Sequence, residues 1–108
     1  MSDLSYEDAE LPTIQQADTS TVTSVANSTT NVTLLNSNSQ RKMALITNDG
    51  TGKAILYIKL GATASLTSFT IQVPALSIFE LPLPCYTGQI DGIWDISASN
   101  TARITELT

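Results

Sequence analysis

The sequence predicts an all-β protein, and three observations support this prediction. Short runs alternate apolar and polar side chains with a period of two, turn-forming residues separate these runs, and no stretch has a helical period. The alternation is clearest in residues 54–60 and 68–73, where β-branched and aromatic side chains recur. Such runs fit a pleated sheet with one buried face, so we expect roughly eight or nine short strands in a single domain.

Residues 1–19 differ from the rest of the chain in composition. They carry half of the carboxylates and few large apolar side chains. Such a segment suits an extended acidic N-terminal arm that becomes ordered on a partner, and we predict a β-sandwich domain over residues 20–108. The apolar residues expected to anchor the arm are Leu4, Tyr6, Leu11 and Ile14.

The first half of the domain predicts four strands. Two lie within residues 21–35 and are joined by a turn at residues 27–30, where Asn and Ser favour local backbone hydrogen bonds. Residues 42–47 and 54–60 are then predicted to pair as a hairpin across residues 48–52, whose two glycines permit a positive φ.

Prolines delimit the next two predicted strands. Residues 69–73 stop at Pro74, and residues 77–81 are followed by Pro82 and Pro84. Because proline cannot donate to a ladder, these strands should lie at sheet edges or end where the prolines begin.

The end of the chain predicts the closing strands. Residues 89–90 and 93–98 flank a tight turn or bulge at Asp91-Gly92, and residues 99–101 form a hairpin turn into a last strand over residues 102–107. The complete prediction is a jelly-roll-like antiparallel β-sandwich preceded by the extended arm.

The charge distribution bears on possible partners. The net charge is −5, but from Thr19 onward five acidic and five basic residues cancel. A neutral body cannot neutralise a run of phosphates, so we expect no nucleic-acid partner. Neither a signal peptide nor a long apolar stretch is present, so we expect no membrane partner and synthesis in the cytoplasm.

Few residues offer reactive chemistry. The chain has no histidine, which removes the commonest general base and metal ligand. Its one cysteine, Cys85, has no basic neighbour in the sequence and is expected to be a packing residue. Residues 50–53 depart from the full phosphate-loop pattern. We therefore expect no catalytic residue, no cofactor, no metal and no small-molecule substrate.

Two alternatives remain open from the residues. Two of Glu80, Asp91 and Asp95 could serve a polysaccharide-cleaving enzyme, although turn and strand-end solvation explains all three. Trp94 could stack on a sugar ring, but its isoleucine neighbours favour the core or a contact between subunits. We predict Phe79 and Trp94 as candidate residues of an oligomer interface.

Four segments carry a resemblance to a known family: RKMALITND (residues 41–49), LYIKLGATAS (56–65), YTGQIDGIWD (86–95) and ARITE (102–106). They resemble small structural proteins of tailed bacteriophages, most of all the jelly-roll cement, or decoration, proteins of cyanophage-type capsids. The resemblance covers about residues 20–108 and leaves the arm unmatched.

The resemblance implies a non-enzymatic virion protein that binds the outer surface of the capsid as a homotrimer. The major capsid protein would be its partner, with residues 1–19 as a clamp and the β-domain as a knob. Members with this appearance also form head fibres or tail fibres, so a receptor-binding or carbohydrate-binding module is the alternative function.

Overall fold

The computed structural model describes residues 16–108, which contain eight strands and no helix. The strands are β1 (Ser20–Ala26), β2 (Val32–Leu35), β3 (Met43–Asp49), β4 (Leu56–Leu60), β5 (Ile71–Val73), β6 (Ile78–Glu80), β7 (Ile90–Trp94) and β8 (Thr101–Leu107). The first sheet has the order β1-β8-β3-β6, and the second sheet has the order β2-β7-β4-β5. Every pairing between these strands is antiparallel. The predicted β-sandwich is thereby confirmed, and the strand order is that of a jelly roll.

The core lies between the two sheets. Along β3 the buried and half-buried positions alternate without a break, so that Ala44, Ile46 and Asn48 point inward. From the second sheet Leu56 and Ile58 point inward and are fully buried. Alternation along β3 and β4 therefore places one row of mostly apolar side chains from each strand in the core, as the period of two predicts.

Several predicted elements are confirmed. β1 and β2 flank the predicted turn at residues 27–30. β5 and β6 form one edge of each sheet and have three residues each, as expected of strands that end at prolines. The last strand, β8, covers the predicted residues 102–107.

The predicted hairpin between residues 42–47 and 54–60 is wrong. β3 pairs with β8 and β6, whereas β4 pairs with β5 and β7. The glycine-containing loop therefore crosses from one sheet to the other, and the two strands face each other across the core. Both strands alternate correctly because the pattern reports which face is buried, not which strand is the neighbour.

The prediction of a tight turn or bulge at Asp91-Gly92 is wrong as to the turn, and the register shift in this part of the sheet lies in β2, between Thr33 and Leu35. Asp91 and Gly92 lie inside the continuous strand β7, and Gly92 pairs with Val32 on one side and Ile58 on the other. A Cβ at Gly92 would meet Leu34 Cδ1 at 2.8 Å, so this glycine makes room for a core leucine. The predicted hairpin turn at residues 99–101 likewise connects strands of different sheets, since β7 and β8 do not pair.

Candidate functional site

In the part of the chain that the structure describes, the outer face of the first sheet is open to solvent. Its side chains alternate with those that point toward the other sheet from β1, β8, β3 and β6, and the strand register aligns them in cross-strand rows. We call this surface the open face; its residues are Ser20, Val22, Ser24, Met43, Leu45, Thr47, Asp49, Ile78, Glu80, Arg103, Thr105 and Leu107. Val22 and Ile78 are 64% and 55% exposed. Apolar and hydroxyl side chains make up most of the open face.

One ion pair lies on the open face. Arg103 Nε donates to Asp49 Oδ2 at 3.0 Å, and its Nη1 donates to Ser24 Oγ at 3.0 Å. Both charged side chains are about half exposed. The pair lies toward the end of β3 and the start of β8, and its two charges offset each other at that end of the open face.

The outer face of the second sheet, in contrast, is covered by the protein itself. Residues 61–70, which we call the covering segment, fold across it. The Phe69 ring packs edge-on against Tyr57 at a centroid distance of 4.8 Å. Lys59 Nζ donates to Thr63 O and Ser68 Oγ, and Ala64 in the middle of the segment is buried. The sandwich thus exposes one sheet face and shields the other.

Asp91 is buried on the shielded face. Its neighbours Ile90 and Gly92 point into the core, so its carboxylate points outward under the covering segment. Gln89 Nε2 donates to Asp91 Oδ1 at 2.8 Å, while Asp91 Oδ2 has no hydrogen-bond partner among residues 16–108. A buried oxygen of this kind is an uncompensated polar atom.

A cleft of about 950 Å³ lies at the end of the sandwich where β3 begins and β6 ends. Lys42, Met43, Leu83 and Pro84 contribute to its walls. Leu83 is 80% exposed, so the cleft has an apolar rim.

Arg41, at the base of this cleft, is not free to bind an anion. Its side chain is fully buried, and its Nε donates to Glu106 Oε2 at 2.8 Å. Nη1 donates to the carbonyls of Tyr86 and Gly88, and Nη2 donates to that of Asn36. The guanidinium therefore joins two loops and strand β8, and Arg41 acts as a structural residue.

The first sheet ends at β1, whose pairing partner is β8. Six of the seven β1 residues are exposed, and Val25 is half-buried. A notch of about 350 Å³ separates the inner side of β1 from β2, and Thr23, Val25, Leu34 and Leu35 line it. Among residues 16–108 no strand pairs with the other side of β1, and we call this side the β1 edge.

The predicted interface residues occupy the interior. Trp94 is fully buried, and its Nε1 donates to Asn48 Oδ1 at 3.1 Å. Phe79 is 8% exposed and points into the core from β6. Trp94 has no surface to offer to a second subunit or to a sugar ring in this fold, and packing in the core is its observed role. The predicted arm anchors Leu4, Tyr6, Leu11 and Ile14 lie outside the described residues.

The three carboxylates considered for a glycoside hydrolase are not brought together as a set. Glu80 is on the outer face of the first sheet, whereas Asp91 is on the outer face of the second. Asp95 Oδ1 accepts from the backbone of Ile55 at 2.8 Å, a structural contact. The core separates Glu80 from Asp91, so these two cannot flank one glycosidic bond.

Residues 16–108 contain no group of three or more histidine, cysteine, aspartate or glutamate side chains placed to hold a metal ion. Within the same residues there is no helix of the length and apolarity needed to cross a membrane. Comparison with protein-family models, with curated proteins and with solved structures finds no match.

Sequence reasoning missed the buried polar residues. Asn48 and Asn100 are fully buried, and both were expected in turns. Asparagine is typical of turns, and so are the polar residues that follow Asn48 and precede Asn100, so no local signal distinguished them. For Arg41 a weak signal existed: a lone arginine between a polar loop and an apolar strand.

Proposed function

We propose that this chain is a non-enzymatic structural protein of a phage virion, a capsid cement or decoration protein. In this proposal it binds the outer surface of the assembled capsid as a homotrimer and stabilises contacts between copies of the major capsid protein. The observation that carries the proposal is the open face of the first sheet. The resemblance to phage cement proteins implies the major capsid protein as the partner, and it lies in residues 41–49, 56–65, 86–95 and 102–106.

The composition of the open face suits a contact between proteins. It combines half-exposed Met43, Leu45 and Leu107 with hydroxyl side chains and one ion pair. Non-obligate interfaces are about as apolar as the rest of a protein surface and keep charges at their rims. Such a face can form a contact with another protein, and it can also remain exposed to water when that protein is absent.

The charge of the described residues argues for a protein partner and against a phosphate backbone. Arg41 is buried in its ion pair, and Arg103 is paired with Asp49. The remaining cations are three scattered lysines, Lys42, Lys53 and Lys59, and Lys59 is hydrogen-bonded to the covering segment. Three separated charges give little affinity by counterion release.

The acidic N-terminal segment provides a second contact in this proposal. The backbone N–H groups of Asp18 and Thr19 donate to Thr108 O, so the segment leaves the sandwich beside the end of β8. A trimer would present three such segments and three open faces. Linking several weak contacts raises the overall affinity through effective concentration, so no single contact has to be strong.

The first test uses capsids assembled without this protein by the phage that encodes it. Ile78→Glu places a charge on the open face, and Ile96→Glu is the matched control at another exposed isoleucine. We expect Ile78→Glu to lower occupancy on the capsids at least tenfold, and the control to bind as the wild type does. Co-sedimentation and the temperature of capsid rupture are the measurements. Equal binding of both variants would remove the open face from the proposal.

The second test removes residues 1–17 and keeps the backbone contacts of Asp18 and Thr19 with Thr108. The truncated protein should bind capsids more weakly and protect them less against heat. Unchanged occupancy and rupture temperature would remove the arm from the mechanism.

The alternative function is a receptor-binding or carbohydrate-binding module of a head or tail fibre. Trp94 was the residue considered for sugar binding in that alternative. Trp94 is fully buried, so its ring cannot stack on a sugar in this fold. Saturable binding on a glycan array, together with no binding to capsids, would nevertheless favour this alternative over the cement function.

A further inference from the structure

Three of the four sheet edges in residues 16–108 are protected against pairing with another chain. β5 and β6 have three residues each and are bounded by Pro74 and Pro82. β2 has four residues, and its register shifts between Thr33 and Leu35. Shortness, flanking prolines and bulges are the devices by which natural proteins make edges unsuitable for pairing.

β1 has none of these devices. It has seven residues, STVTSVA, with no proline, glycine or charged side chain, and it pairs with β8 in continuous register from Ser20 to Ala26. In an antiparallel ladder alternate residues direct their N–H and C=O groups away from the existing partner. The β1 edge therefore presents a regular row of backbone donors and acceptors.

We propose that the β1 edge pairs with the β1 edge of a second copy of this chain. The two strands would run antiparallel about a twofold axis at Thr23, and the two first sheets would join into one continuous sheet. The contact is isologous, because the same strand is used by both copies.

The sequence of β1 matches itself in this register. Thr23 faces Thr23 of the partner subunit, Val22 faces Ser24 of the partner subunit, and Thr21 faces Val25 of the partner subunit. No charge opposes a like charge, and the pairs are made of β-branched and hydroxyl side chains, which are favourable cross-strand neighbours. An uncharged strand of this kind suits an identical strand better than it suits an acidic or basic segment.

The notch beside β1 supports the same occupant. Val25 is half-buried at this notch, and Thr23 on the same side of the strand is exposed. In the proposed register Thr21 of the partner subunit lies next to Val25 and shields it. A second β1 strand would thus satisfy the backbone and also cover the exposed inner side of the edge.

The oligomer mass separates this inference from the proposed function. A twofold contact alone gives a dimer, a threefold contact alone gives a trimer, and both together give a hexamer. A seven-residue strand pair buries less than a standard interface of about 1,600 Å², so the dimer or hexamer should dissociate on dilution. Sedimentation velocity of the full chain over a range of concentrations measures this directly.

Dimers or hexamers would support the inference, and their association constant should fall at least tenfold in Thr23→Lys. This variant places two ammonium groups at the axis. Thr51→Lys, at an exposed loop position, is the matched control and should associate as the wild type does. A trimer that never doubles would leave the proposed function standing and overturn this inference, and a monomer at all concentrations would overturn both.

A cysteine test keeps the inference falsifiable if Thr23→Lys does not fold. In a Cys85→Ser background, Thr23→Cys places two thiols across the axis, within the Cα separation of about 5 Å that suits a disulfide. Thr21→Cys is the control, because its two copies would be four residues out of register, roughly 13 Å apart. Oxidation should link Thr23→Cys at least tenfold faster; equal linkage of the two variants would overturn the proposed register.

Discussion

Trp94 and Asn48 join the two sheets through a buried hydrogen bond: the Trp94 indole Nε1 donates to Asn48 Oδ1 at 3.1 Å. Asn48 belongs to β3 of the first sheet, and Trp94 belongs to β7 of the second. Asn48 Nδ2 also donates to Ala54 O at 2.9 Å and to Val73 O at 2.8 Å. The Asn48 amide therefore provides hydrogen-bond partners for one buried donor and two buried acceptors, which would otherwise be unpaired.

Replacement of Asn48 by alanine should be strongly destabilising. The change leaves the Trp94 Nε1 and the two carbonyls without their partner and opens a cavity in the core. Each of these three unsatisfied buried groups costs about 1–3 kcal/mol, so we expect the free energy of unfolding to fall by at least about 3 kcal/mol. Urea unfolding followed by the fluorescence of the only tryptophan measures it.

The matched control for this change is Asn36→Ala, at an exposed asparagine whose side chain makes no hydrogen bond in the described residues. It should stay within about 0.5 kcal/mol of the wild type. Similar losses for the two variants would show that the Asn48 amide does not contribute to joining the sheets.

The two arginine ion pairs should differ sharply in their contribution to stability. The Arg41 side chain is fully buried and makes four hydrogen bonds, whereas that of Arg103 is 56% exposed. Removing one partner of a buried pair costs about 3–5 kcal/mol, and exposed pairs contribute about 0–1 kcal/mol. We therefore expect Arg41→Met to lose several-fold more unfolding free energy than Arg103→Met.

Arg41→Lys tests whether geometry or charge matters at this site. Lysine keeps the charge but lacks the planar fork that reaches Glu106 and three carbonyls together. Most of the loss seen in Arg41→Met should remain in Arg41→Lys, as measured by urea unfolding. Full recovery of stability with lysine would contradict this geometric account.

Asn100 should stabilise the loop that crosses between the sheets. Its Oδ1 accepts from Ala54 N at 3.2 Å, and its Nδ2 donates to Gly52 O at 3.0 Å. Asn100→Ala removes both contacts, so we expect a loss of about 1–2 kcal/mol. Limited proteolysis should also cut residues 50–54 faster in this variant than in Asn36→Ala, and equal cutting would show that Asn100 does not hold the loop.

The sequence predicted which residues form strands better than which strands are neighbours. Alternation placed Ile46, Leu56 and Ile58 on buried faces, as the structure confirms. It could not show that β3 pairs with β8, because the two strands are separated by more than fifty residues and every apolar face matches every other.

The surface features were harder to predict for a physical reason. The open face reads as an ordinary solvent face until the register aligns Val22, Thr105 and Leu45 in one row. Asp91 precedes a glycine, and that pair is typical of a turn. That glycine instead lies within β7 and makes room for the close packing of Leu34, a contact between strands that no local pattern contains.

Gly92 and Leu34 provide the last prediction, which tests that packing. A Cβ at position 92 would lie 2.8 Å from Leu34 Cδ1 and 3.1 Å from Leu56 Cδ1, so Gly92→Ala must push core side chains apart. Overpacking of this kind costs about 1–3 kcal/mol of unfolding free energy. Leu34→Ala alone should cost about 2–5 kcal/mol through the cavity it leaves. The double variant should lose clearly less than the two single losses combined, because the added methyl group occupies part of the vacated space. Strict additivity in urea unfolding would mean that Gly92 is required for its backbone conformation and not for the space that Leu34 fills.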